Sequence, residues 1–197
     1  VRHVLLALSA AALLISGARA ADIESAYTKI DRKHGCKVVE AAARGDGDWQ
    51  ELACTGYKGY PVLISYDDAR ESIFYGYPPK EGKRKWESFA GFNQSSDTIE
   101  WRVAREGKKE IPFATIHRWF VGEPGDTVEV LAVEKIGRKG GGEGCAVGYV
   151  VASGNGNAND EARRIADSRA RDFSCDVDKP VIKAGRVALP ALARQTD

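Results

Sequence analysis

One stretch near the end of the chain carries a helical period. Over residues 160–172, Ala162, Ile165, Ala166, Arg169 and Ala170 recur at three- and four-residue spacing, and Phe173 continues the same face. Residues 36–152 read differently. They are short runs rich in Val, Ile, Thr and aromatics, broken by Gly, Asn, Asp and Pro clusters at intervals of roughly 8–12 residues. Turn-separated strands followed by one helix predict an α+β fold: a mainly antiparallel β-sheet of short strands with one C-terminal helix packed on it. The alanines on the helix face allow close approach to a sheet. Asn157 or Asn159 is placed to cap the helix start, Asp160 and Glu161 suit the positive end of its dipole, and Arg169 and Arg171 suit the negative end.

The strand pattern is clearest over residues 98–105. Ile99, Trp101 and Val103 fall on one side and Glu100, Arg102 and Ala104 on the other, which predicts a half-buried antiparallel strand. In residues 112–121 the same rule sets Phe113, Thr115, His117 and Trp119 against Ala114, Ile116, Arg118 and Phe120. Residues 127–136, rich in Val and Leu, read as central, and 145–152 complete the sheet. Earlier strands are expected at 36–42, 49–54, 62–66 and 72–77. Ile23, Tyr27 and Ile30 suggest a short helix over 22–33.

The first residues have the pattern of an export signal. Arg2 and His3 precede an apolar run over 4–15, too short to span a bilayer comfortably, and Ala18-Arg19-Ala20 is a small-x-small cleavage site. The expected organisation is a signal peptide over 1–20, one α+β domain over 21–180, and a C-terminal tail over 181–197 with one short strand before a disordered end. Cleavage after Ala20 removes Arg2 and Arg19, leaving 27 basic against 28 acidic side chains. That balance argues against a dedicated nucleic-acid binder. No later apolar run is long enough to span a membrane.

Cys36, Cys54, Cys145 and Cys175 are the four cysteines, and an even count in an exported chain reads as disulfides. Three pairings are possible. Cys36–Cys54 with Cys145–Cys175 is favoured because each bridge closes a local loop. A zinc site is disfavoured, since no C-x-x-C knuckle is present. The expectation is a periplasmic or secreted protein without a bound metal or cofactor.

Four segments together resemble a group of small exported proteins of alphaproteobacteria with no established activity. They are residues 54–61 (Cys-Thr-Gly-Tyr-Lys-Gly-Tyr-Pro), 99–102 (Ile-Glu-Trp-Arg), 112–116 (Pro-Phe-Ala-Thr-Ile) and the helix from Ala162-Arg163 through Ala166-Asp167 to Phe173-Ser-Cys175. The resemblance implies a compartment and an architecture. It implies no reaction and no site.

Several groups are of residue types that can carry chemistry. His34 sits beside a glycine at an expected element end, and His117 reads as a structural strand histidine. No G-x-S-x-G accompanies either of them. Asp67-Asp68 with Arg70 is the densest acidic group but occupies a turn. Residues 155–161 begin like a calcium loop. Asp160 then stands where the required glycine belongs and Ala166 where the bidentate Glu belongs, so a helix cap explains them better. The glycine run over 137–144 lacks the Gly-Lys-Ser/Thr ending of a phosphate cradle and reads as a flexible hairpin loop.

Two binding candidates remain. One is the loop over 56–61, where Tyr57, Lys58 and Tyr60 set aromatic faces and a cation among glycines. The other is the basic loop that carries Lys83 and Arg84. These features predict a non-enzymatic domain that binds a protein or a cell-envelope component. The alternative is a hydrolase of envelope glycans or peptides that uses paired carboxylates.

Overall fold

A computed structural model describes residues 22–80, 84–140, 142–193 and 195–196. The expected signal peptide and Lys83 lie outside the described residues. The first strand, β1 (Asp22–Lys29), is followed by the hairpin β2 (Cys36–Ala41) and β3 (Gln50–Thr55). A 3-10 turn, Tyr57–Gly59, leads into a second hairpin, β4 (Pro61–Asp67) and β5 (Arg70–Tyr75). After the short β6 (Lys85–Trp86) come three long strands, β7 (Asn93–Glu106), β8 (Lys109–Val121) and β9 (Val128–Lys135), and then β10 (Cys145–Val151). Helix α1 (Ala158–Arg169) and the short strands β11 (Val181–Lys183) and β12 (Gln195–Thr196) complete the chain.

The strands form a six-stranded sheet, β1-β7-β8-β9-β10-β11, and a four-stranded sheet, β2-β3-β4-β5, with β12 paired to β6. All pairings are antiparallel except β10 with β11. The six-stranded sheet is the middle layer. On one face Trp101, Trp119, Val130 and Tyr149 pack against Leu52, Val62, Ile64, Ile73 and Tyr75 of the smaller sheet. On the other, Ala104, Ile116, Leu131, Val133 and Val150 receive the Ala162, Ile165, Ala166 and Ala170 face of α1, with Phe173 beyond it. The α+β architecture expected from the pattern is therefore present, with two sheets rather than one. Both local disulfides are formed, Cys36–Cys54 across directly paired positions of β2 and β3 and Cys145–Cys175 from β10 to the segment after α1.

Several expectations are corrected. Residues 22–29 form a strand along residues 98–105 of β7, with Asp22 opposite Arg105 and Lys29 opposite Thr98, not a helix. The spacing of Ile23 and Tyr27 fits a two-residue period as well as a helical one, and the open edge of β7 selects the strand. β7 is not half-buried. Glu100 and Arg102 are buried along with their apolar neighbours, because α1 covers that face. Phe113 does not share a face with Thr115 and His117. A bulge, in which Arg102 pairs with Ala114 and Val103 with Pro112, turns it toward α1.

The glycine run is not simply a loop. Gly137 bridges Gly76, and a Cβ at Gly137 would meet the Tyr77 carbonyl oxygen at 2.1 Å, so the chain beyond β5 and the chain beyond β9 touch backbone to backbone here. Asn157 precedes α1 without a side-chain cap. Asn155 orders the start instead, accepting from Asn157 N at 3.0 Å and donating to Glu161 Oε2 at 3.1 Å. The tail carries more structure than one strand. Ala191 O accepts from Ala90 N at 2.9 Å, Ala193 N donates to Ser88 O at 3.1 Å, and Leu189 and Leu192 pack on the inter-sheet core.

Candidate functional site

At the end of the smaller sheet where β3 begins and β4 finishes, the two sheets part and leave a cleft of about 700 Å³. The inner wall is Leu52 and Ile64, both buried. Tyr66, Phe92, Phe120 and Pro124 form the outer apolar wall, and Phe92 is 45% exposed. Gln50, Gln94 and Thr127 add uncharged polar groups. A volume of this size and an apolar lining with few polar groups suit a small molecule.

Beside the cleft β7 is irregular. Ser95 pairs with Trp119 but Ile99 pairs with His117, so residues 96–98 bulge out of the ladder. Asp97 O accepts from Ile30 N at 2.7 Å, which draws Arg32 to the cleft wall. Arg32 then donates from Nε to Glu71 Oε1 at 2.9 Å, from Nη2 to Glu71 Oε2 at 3.2 Å and to Ser95 Oγ at 2.7 Å, and from Nη1 to Asp97 Oδ1 at 2.7 Å. Ser95 N and Oγ also donate to Glu71 Oε2, at 2.9 and 2.6 Å. Asn93 accepts from Glu71 N at 3.0 Å and donates to Phe89 O at 3.1 Å. Polar bonds therefore join β5 to β7 here in place of an apolar seam.

His117 supports the same bulge from the core. Nε2 lies 2.7 Å from Ser96 O and Nδ1 lies 2.6 Å from the Tyr75 hydroxyl. A carbonyl only accepts, so Nε2 carries the proton and Nδ1 accepts from Tyr75. Burial pushes the His117 pKa down to about 4 and the Tyr75 phenol well above its usual range. The ring is a fully occupied structural group.

The loop over 56–61 lies at the opposite end of β3 and β4, because Thr55 pairs with Pro61 while Gln50 pairs with Tyr66. Tyr57 and Tyr60 both lean on Trp101, with ring centroids at 6.4 and 6.3 Å, and Tyr60 also meets Tyr77 at 5.3 Å. Gly56 is required at this point, since a Cβ there would lie 2.4 Å from the Trp101 ring. The Tyr57 hydroxyl donates to Glu110 at 2.5 Å, which pushes its pKa up to about 12, and Lys58 pairs with the same carboxylate at 2.5 Å. Arg84 sits 4.6 Å above the Trp86 ring. The structure does not bring Tyr57, Lys58 and Tyr60 together with the cleft.

Two ion pairs were missed from sequence. Arg102 holds Asp167 of α1 with bonds of 2.8 and 2.7 Å, and Arg163 of α1 holds Glu100 with bonds of 2.7 and 3.1 Å. A signal for them existed. Two residues along a strand and four along a helix both advance about 6–7 Å. A Glu-x-Arg strand can therefore register against an Arg-x-x-x-Asp helix.

Among the described residues lining the cleft Glu71 is the one acid. A shallower depression beside it contains Asp68 and Glu123, both exposed, with Asp68 paired to Arg70 at 3.1 Å. Among the described residues no helix is long and apolar enough to cross a membrane. No protein-family model, no curated protein and no solved structure matches this chain.

Proposed function

We propose that this chain is an exported, non-enzymatic binding domain and that the cleft between its sheets takes a component of the cell envelope. The observation that carries this reading is an apolar-walled cavity of about 700 Å³ whose charged residues, Arg32 and Glu71, are already paired within the protein. A site built for binding needs shape and apolar surface. A glycosidase-type site needs two carboxylates facing a reacting bond, and the cleft lining offers Glu71 alone among the described residues. The signal-like first residues and the two disulfides support an oxidising, non-cytoplasmic compartment. The cleft is preferred to the loop over 56–61 because the two tyrosines there lean their rings on Trp101.

The test is ligand capture. The purified protein is incubated with an extract of small envelope molecules, repurified and weighed by native mass spectrometry. A bound mass is expected on the unaltered protein and is expected to be lost in Phe92→Asp and Thr127→Trp, which charge and fill the cleft. Absence of any bound mass, or equal capture by both variants, would refute the reading.

A further inference from the structure

We infer that the cleft selects an uncharged amphiphile, an apolar body with a hydroxyl, ester or amide head, and turns away carboxylates and phosphates. This rests on the cleft being the binding site. Arg32 is the one cation among the described lining residues, and an arginine in a cleft is ordinarily an anion receptor. Here its fork is occupied: Nε and Nη2 by Glu71, Nη1 by Asp97. One guanidinium thus faces two carboxylates, so an incoming anion meets a local excess of negative charge.

A cationic head gains little either. Glu71 Oε2 already accepts from Arg32, Ser95 N and Ser95 Oγ, and the Asp97 side chain is 72% exposed to water. The other polar groups lining the cleft are neutral. Gln50, Gln94 and Thr127 line it, and amides and hydroxyls pair with uncharged donors and acceptors without a large desolvation cost.

The experiment compares three probes with one dodecyl-length chain, each below its micelle concentration, by isothermal titration on the full folded domain: monododecanoylglycerol, dodecanoate and dodecylamine. The glyceride is expected to bind at least about tenfold more tightly than either charged probe. Glu71→Gln removes the carboxylate charge on Nε and Nη2, and the milder surface variant Asp97→Asn removes the one on Nη1; dodecanoate is expected to gain in both, by about tenfold or more in Glu71→Gln, while the glyceride changes little. Equal or tighter binding of a charged probe by the unaltered protein would overturn the selectivity and leave the cleft as a site. If none of the three binds to protein whose circular dichroism is intact, the cleft reading falls and the inference falls with it.

Discussion

Arg32 and Glu71 face each other as two planar groups joined by two bonds, Nε to Oε1 at 2.9 Å and Nη2 to Oε2 at 3.2 Å, with the Glu71 side chain only 5% exposed. The pair ties the segment leaving β1 to the start of β5 and forms one wall of the cleft. Removing one partner leaves a buried charge without its counter-charge, which costs far more than the pair itself is worth. Arg32→Leu is expected to destabilise the fold by about 3 kcal/mol in urea unfolding. The double variant Arg32→Leu/Glu71→Leu is expected to lose less than Arg32→Leu alone. Equal losses would mean that the charge on Glu71 is solvated.

His117 makes stability pH-dependent in a defined direction. Its pKa is about 4 in the folded core against an ordinary 6.5, because burial penalises the imidazolium. Between those values the unfolded chain takes up a proton that the native core refuses, so stability rises with pH. The full contribution is present above pH 6.5 and is lost as the pH falls toward 4, a change of about 3 kcal/mol. Urea midpoints measured across that window should show the slope in the unaltered protein and a weaker slope in His117→Gln.

The hairpin between β4 and β5 turns on Asp68 and Ala69, with φ of 48° and 56°. Two successive positive values make the mirror-image turn that usually carries Asn-Gly or Asp-Gly. Alanine in that region pays a steric penalty that glycine avoids. Ala69→Gly is expected to raise stability by about 0.5–1 kcal/mol, seen as a higher thermal midpoint. A drop would show that glycine's extra unfolded-state freedom outweighs the relieved strain.

Phe173 lies 4% exposed just past α1, and Cys175 follows it into the bridge to Cys145. Phe173→Ala is expected to cost about 3–5 kcal/mol through lost burial and the cavity left behind. Replacing Cys145 and Cys175 together by serine reopens a loop of 30 residues and is expected to cost about 3–4 kcal/mol. A loss below about 1 kcal/mol for Phe173→Ala would mean that the segment does not hold α1 to the sheet.

The long strands were legible because each has an internal period. The alternation of Ile99, Trp101 and Val103 placed one face of β7 correctly, and all three line the inter-sheet core. Reading failed where a third element decided the outcome. Glu100 and Arg102 have the pattern of a solvated face, and α1 converted that face into buried ion pairs. Phe113 has the parity of His117, and a bulge reversed it. The contact of the Tyr57 and Tyr60 rings with Trp101, a strand residue more than forty positions away, likewise has no local period to show it.

The sequence by itself determined the class of fold: turn-punctuated strands, one late helix with an alanine face, and cysteines spaced so that each can close a loop on its neighbour. Those features depend on residues close together in the chain, where period and turn chemistry are enough. Only the tertiary structure decided where the sheets part, that Arg32 meets Glu71 across 39 positions, and that the charged groups lining the cleft are paired with each other. A cavity is the space that distant segments leave unfilled, and a neutralised charge depends on a partner from another strand. Neither has a local pattern to read.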